Sequence, residues 1–100
     1  MKNTPEGLVK RQIKNVLDGY KPNLFYTMPI PSSYGGSTGL CDFIGCFMGH
    51  FFGVEAKALG KKPTPLQELQ MEKIRAAGGK CFVVDGSASL ALLIEWLETV

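Results

Sequence analysis

Gly39-Leu40-Cys41-Asp42-Phe43-Ile44-Gly45-Cys46-Phe47-Met48-Gly49-His50-Phe51-Phe52-Gly53-Val54-Glu55-Ala56-Lys57 is a wall of apolar residues interrupted by a turn signal and by charge toward its two ends. Met48-Gly49 predicts a two-residue hairpin turn, because glycine accepts the positive φ required at the second central position. That turn pairs Phe47 with His50 and, counting outward along both strands, Asp42 with Glu55. Directly opposed residues of an antiparallel pair share a face, with Cβ atoms about 4.5–5.5 Å apart. The two carboxylates therefore meet, and Lys57, two residues beyond Glu55, projects to the same side. A buried carboxylate is costly unless it is paired or binds a cation. Two acids and a lysine at one end of a hairpin are the arrangement needed to hold a divalent cation against a phosphate.

The rest of the chain supplies a frame for this hairpin. Thr4-Pro5 reads as an N-cap and first helical residue, and Val9, Ile13, Val16, Leu17 and Tyr20 recur at helical spacing until Gly19 and Pro22 stop the helix. Leu24 to Met28 reads as a strand, followed by a Pro/Ser/Gly loop from Pro29 to Gly39. The hairpin, at roughly 41–57, is apolar on both faces away from its charged end, as in central strands covered by helices on each side. Thr64 caps a second helix at Pro65, with Leu66, Leu69, Ile74 and Ala77 expected on its inner face and Gly78-Gly79 ending it. Cys81 to Val84 predicts a short buried strand, and Leu90, Leu93, Ile94 and Leu97 a final amphipathic helix. The order is αβββαβα. The step from Val54 through a helix to Val84 predicts a right-handed parallel crossover, giving an α/β fold with a central mixed sheet of about four strands flanked by helices.

Composition narrows the class. One hundred residues form one domain, 1–100, with 45% apolar and 20% charged residues, which is an ordinary globular balance. A net charge of +2 permits nucleic-acid binding without requiring it. Three cysteines and no basic-then-apolar leader point to a reducing cytoplasm. Glycines, Asp42 and His50 interrupt the longest apolar run, so no membrane segment is expected. A single histidine disfavours structural zinc. Cys41 and Cys46 are predicted to point to opposite faces of one strand, and the thiols are read as core filler.

Glu6 on the first helix, Gly39 three residues before Asp42, Glu55-Ala56-Lys57 at a strand end and Gln67 opening the next helix together resemble the PD-(D/E)XK nuclease superfamily, and within it the virus-type replication-repair nuclease branch. The resemblance runs from Glu6 to about Gly86 and includes the Thr64-Pro65-Leu66-Gln67 helix start; Cys41 stands where the superfamily name has proline. It implies a restriction-endonuclease-like fold and a Mg²⁺- or Mn²⁺-dependent endonuclease acting on DNA, in a phage or bacterial cytoplasm. It also implies Asp42, Glu55 and the Ala56 carbonyl as metal ligands and Lys57 as the catalytic lysine. Gln67 would orient substrate or water, and Glu6 would sit beside the metal. Oxygen donors of this kind suit Mg²⁺ or Mn²⁺, and a lysine placed where phosphoryl charge develops is an electrostatic catalyst.

Each residue also has a plainer reading. Glu55 and Lys57 alone are compatible with an exposed ion pair, Glu6 with a first-turn acid facing the helix dipole, and Gln67 with a Thr64-x-x-Gln67 capping box. Lys61 and Lys62, just past Lys57, read as solvated loop charges that can reach DNA phosphates. Lys10, Arg11 and Lys14 read as the wet face of the first helix, and His50 as a turn residue. Two function classes follow: a structure-specific DNA endonuclease acting on branched substrates such as four-way junctions or flaps, and a non-catalytic DNA-binding or assembly module. Cutting two strands symmetrically requires a homodimer, with Tyr34, Trp96 and Leu97 as candidate contacts. No small-molecule cofactor is expected.

Overall fold

Thr4 opens the first helix as its sequence predicts: its hydroxyl accepts a hydrogen bond from the Gly7 N–H at 3.0 Å, with Pro5 at the first helical position. The computed structural model, which describes residues 3–30 and 38–100, then runs α1 (Pro5–Asp18), β1 (Leu24–Thr27), β2 (Phe43–Phe47), β3 (His50–Ala56), α2 (Pro65–Ala76), β4 (Lys80–Val84) and α3 (Ser87–Thr99). The strands form one sheet in the order β1-β2-β3-β4, antiparallel except for the parallel β3–β4 pair. This is the expected αβββαβα fold with a mixed four-stranded sheet. Met48 and Gly49 both have positive φ, 52° and 81°, which is the turn whose twist matches the flanking strands. Phe47 pairs with His50 and Phe43 with Val54, the register read from the sequence.

One face of the sheet carries the core. Leu24, Phe43, Phe47, Phe52, Val54, Ala56 and Val84 pack against Val9, Ile13 and Leu17 of α1 and against Leu93 and Leu97 of α3. Trp96 lies half-buried among Phe47, Phe52 and Phe82, with ring centroids 5.5–6.4 Å apart. Burial of apolar area on this scale is the main stabilising term for a domain of this size. β1 crosses β2 at Gly45, where a Cβ would overlap the Phe25 carbonyl oxygen and come within 2.8 Å of the Tyr26 Cα. Any larger residue there pushes β1 off the sheet.

Helices flank both faces of the sheet as expected, but the opposite face is only partly covered. α2 packs on β4 and β3, leaving Phe25, Cys46 and Phe51, which share one lateral row of the register, exposed. The inner face of α2 also differs from expectation: Met71 is buried, with Gln67 and Ile74 half-buried, whereas Leu66, Leu69 and Ala77 are exposed. The stripe 67-71-74 therefore faces the sheet, a choice set by how α2 packs on β3 and β4. β4 is an edge strand in which only Val84 is fully buried, rather than a buried strand. Of the thiols only Cys41 is core filler; its Sγ sits where a Cβ on Gly53 would come within 2.9 Å. Burial pushes that thiol up to about 12, so it stays protonated and unreactive. Among the described residues no helix is long and apolar enough to cross a membrane.

Candidate active site

The β2–β3 ladder reaches Phe43–Val54 and then changes character. Asp42 and Glu55, next in register, are held by each other's strands. The Asp42 N–H donates to Glu55 Oε1 at 3.2 Å, and the Ala56 N–H donates to Asp42 Oδ2 at 2.8 Å. Because the N–H and C=O of one residue in an antiparallel strand point to the same side, the Ala56 carbonyl faces β2 with them. The Lys57 N–H points the other way, to the Val84 carbonyl at 2.9 Å. Asp42, Glu55 and Ala56, the expected metal ligands, are therefore adjacent.

Charge balance explains how this pair of acids is tolerated. Glu55 is 2% exposed and is the only buried charged residue among those described. Its Oε2 lies 3.3 Å from Lys57 Nζ. This pair is buried rather than exposed, since the Lys57 side chain itself is 12% exposed. Burial first, and the neighbouring Asp42 charge second, push the Glu55 carboxyl up to about 7 against the opposing pull of Lys57. Without a cation the site thus carries a proton far more readily than an ordinary carboxylate does.

Lys10 is the residue that sequence reasoning missed. Instead of lying on a wet helix face, its Nζ sits 3.5 Å from Asp42 Oδ1 and 3.6 Å from Glu6 Oε2. The helical repeat did carry a signal, because Lys10 follows Val9 and stands four residues after Glu6; which cross-strand partner it reaches depends on how α1 lies on the sheet. Glu6 is thereby tied to the site through Lys10, and its side chain is 42% exposed. Lys14, by contrast, pairs with Asp18 at 2.9 Å, away from the site. There Lys21 Nζ at 3.1 Å and the Tyr26 hydroxyl at 2.6 Å complete a structural cluster that holds the Asp18 carboxyl well below its usual range.

Gln67 forms the capping box that its sequence predicts. Its Oε1 accepts from the Thr64 N–H at 2.9 Å while its N–H donates to Thr64 Oγ1 at 3.2 Å, a complete capping box. Lys61 and Lys62 lie exposed on the β3–α2 connection. Among the described residues, no group of three or more His, Cys, Asp or Glu side chains is placed to hold a metal ion. An ion here would draw on two carboxylates and a carbonyl from the protein, a donor set that would suit Mg²⁺ or Mn²⁺, since both keep several waters. Oxygen-only donors with lone pairs to spare fit such a hard cation and do not suit zinc or copper. Comparison with protein-family models gives no match, and comparison with curated protein sequences gives none either.

Proposed function

We propose that this chain is a Mg²⁺- or Mn²⁺-dependent DNA endonuclease of the PD-(D/E)XK type, hydrolysing phosphodiester bonds, with branched DNA as its preferred substrate. The observation that carries the reading is the crosswise clamp of Asp42 and Glu55 with an ammonium on each acid, Lys10 on Asp42 and Lys57 on Glu55. Two acids are brought together inside an apolar sheet, with cations waiting beside them, where a purely structural site would need neither. Asp42, Glu55 and the Ala56 carbonyl would hold the divalent ion, whose chemistry is to polarise the phosphodiester and neutralise its developing charge.

The chain's own residues account for the rest. Asp42 and Glu55 are fixed by strand N–H groups, so they need little reorganisation when the substrate arrives. Lys57, whose Nζ lies 3.3 Å from Glu55 Oε2, would donate to a non-bridging phosphoryl oxygen. Lys61 and Lys62 contact flanking phosphates, which set position rather than sequence preference. The homodimer needed to cut two strands has apolar surface available in the exposed row Phe25, Cys46 and Phe51. Of the contacts expected from sequence, Leu97 is buried in the core, Trp96 is half-buried beside aromatic rings, and Tyr34 lies outside the described residues.

The test is cleavage of a panel of linear, flap and four-way DNA substrates with Mg²⁺ or Mn²⁺. Lys57→Ala should lower the cleavage rate by about 10²–10³ while leaving binding in place, as the loss of one preorganised electrostatic contact does. Binding without metal-dependent cleavage of any shape, or Lys57→Ala cutting as fast as the parent protein, would replace this reading with that of a DNA-binding module.

A further inference from the structure

A cavity of about 460 Å³ opens beside the first residues of β4, lined by Arg75, Gly79, Lys80, Cys81, Phe82 and Trp96. It straddles the free edge of the sheet, since β4 has a neighbour only on the β3 side. Its volume falls within the range of small-ligand sites. Its lining combines two kinds of chemistry, two exposed cations, Arg75 and Lys80, and two half-buried aromatic rings, Phe82 and Trp96. Neither cation forms an ion pair with any described residue. Trp96 is braced by Phe47, His50, Phe52 and Phe82 at ring-centroid distances of 5.5–6.4 Å, so it is a rigid surface.

We infer that this groove seats one nucleotide of a DNA strand, with its phosphate on Arg75 and Lys80 and its base against Trp96 and Phe82. Cation plus aromatic platform is the pairing by which proteins hold a nucleic-acid strand without reading its sequence. A lysine on an edge strand also discourages strand-to-strand association, but that role requires neither Arg75 nor a cavity floored by rings. The register of β4 on β3 runs from Lys80 opposite Phe52 to Val84 opposite Ala56, so the groove lies at the other end of this strand pair from Ala56. The groove would hold DNA away from the scissile phosphate, which deepens the nuclease reading and rests on DNA being the substrate.

Trp96 is the sole tryptophan, so its fluorescence reports on this groove directly. The full chain, kept in EDTA to prevent cleavage, is titrated with a short oligothymidylate, with thymidine monophosphate, and with fluorescently labelled four-way DNA followed by anisotropy. The oligonucleotide should quench Trp96 in a salt-dependent manner. Arg75→Ala and Lys80→Ala should each weaken that quenching at least fivefold and reduce the salt dependence by about one phosphate contact. Both variants should retain the parent circular dichroism, and Lys57→Ala should leave the quenching unchanged. Absence of quenching while labelled DNA still binds overturns the groove alone; absence of all DNA binding overturns the nuclease reading with it. Quenching untouched by either substitution, or equally strong with the mononucleotide, also overturns the assignment of the groove to a DNA strand.

Discussion

Glu55 should make the cation-free protein less stable as pH rises, and divalent metal should reverse this. Its carboxyl moves from an ordinary 4.5 to about 7 in the folded chain, so between those values the native state holds a proton that the unfolded chain has already released. Stability follows the difference in bound protons, so it falls as pH rises through this interval. At 1.36 kcal/mol per pH unit the full loss is about 3 kcal/mol, a large share of the roughly 5–15 kcal/mol that holds an ordinary domain together. Asp18 works in the other direction and elsewhere: Tyr26, Lys14 and Lys21 hold its carboxyl low, so its contribution is present above its ordinary value and is lost only as pH falls below it. Urea denaturation in EDTA from pH 4.5 to 8.5 should show the decline in the parent protein and a flat profile over the same interval in Glu55→Gln. At pH 8, Mg²⁺ at a hundred times its Kd should restore about 2.7 kcal/mol, and at pH 5 the gain should shrink because the proton occupies the same oxygens. Identical slopes in the two proteins, or a metal effect indifferent to both pH and Glu55, would refute the reasoning.

Lys10→Ala removes the cation that lies on Asp42, so Mn²⁺ measured by calorimetry should bind roughly fivefold tighter once that repulsion is gone. Weaker binding would mean that Lys10 builds the site instead of competing for it. Gly45→Ala should cost about 2–4 kcal/mol in urea denaturation, because its Cβ meets main chain of β1 and not a side chain that can turn aside; a loss under about 1 kcal/mol would show that β1 is free to move.

Element order and hairpin register were readable because both rest on local rules. Thr4-Pro5 and Thr64-Pro65 start helices through their own hydroxyls and rings, and Met48-Gly49 sets every pairing of β2 with β3 once the turn type is known. The meeting of Asp42 with Glu55 follows from that register alone. What could not be read depends on how elements lie against each other. Lys10 looks like any exposed lysine until α1 settles on the core face of the sheet and brings it within 3.5 Å of Asp42. Leu66 and Leu69 look like core until α2 packs on the sheet with Met71 underneath. Helical periodicity specifies that a stripe exists; it does not specify which of two adjacent stripes is buried when both carry apolar residues. Gln67 shows the converse case, a local cap that the sequence states outright and the geometry completes.

The position of the site has a cause in the ladder itself. A two-residue turn makes Phe47–His50 a hydrogen-bonded pair, and alternation then makes Asp42–Glu55 a non-hydrogen-bonded pair, in which side chains approach most closely. The following rung would use the N–H of Ala56 against the Cys41 main chain; instead the Asp42 carboxylate accepts that hydrogen bond, while Glu55 accepts one from the Asp42 N–H. Each acid thereby replaces a piece of missing strand, so the two oxygen donors are anchored at the point where regular pairing stops and the sheet opens to solvent. Placed one rung nearer the turn, the same two side chains would displace the ladder of a continuous sheet; placed one rung farther out, they would lose the main-chain donors that fix them. At the end of the hairpin, main-chain donors freed where regular pairing stops thus hold the paired carboxylates still.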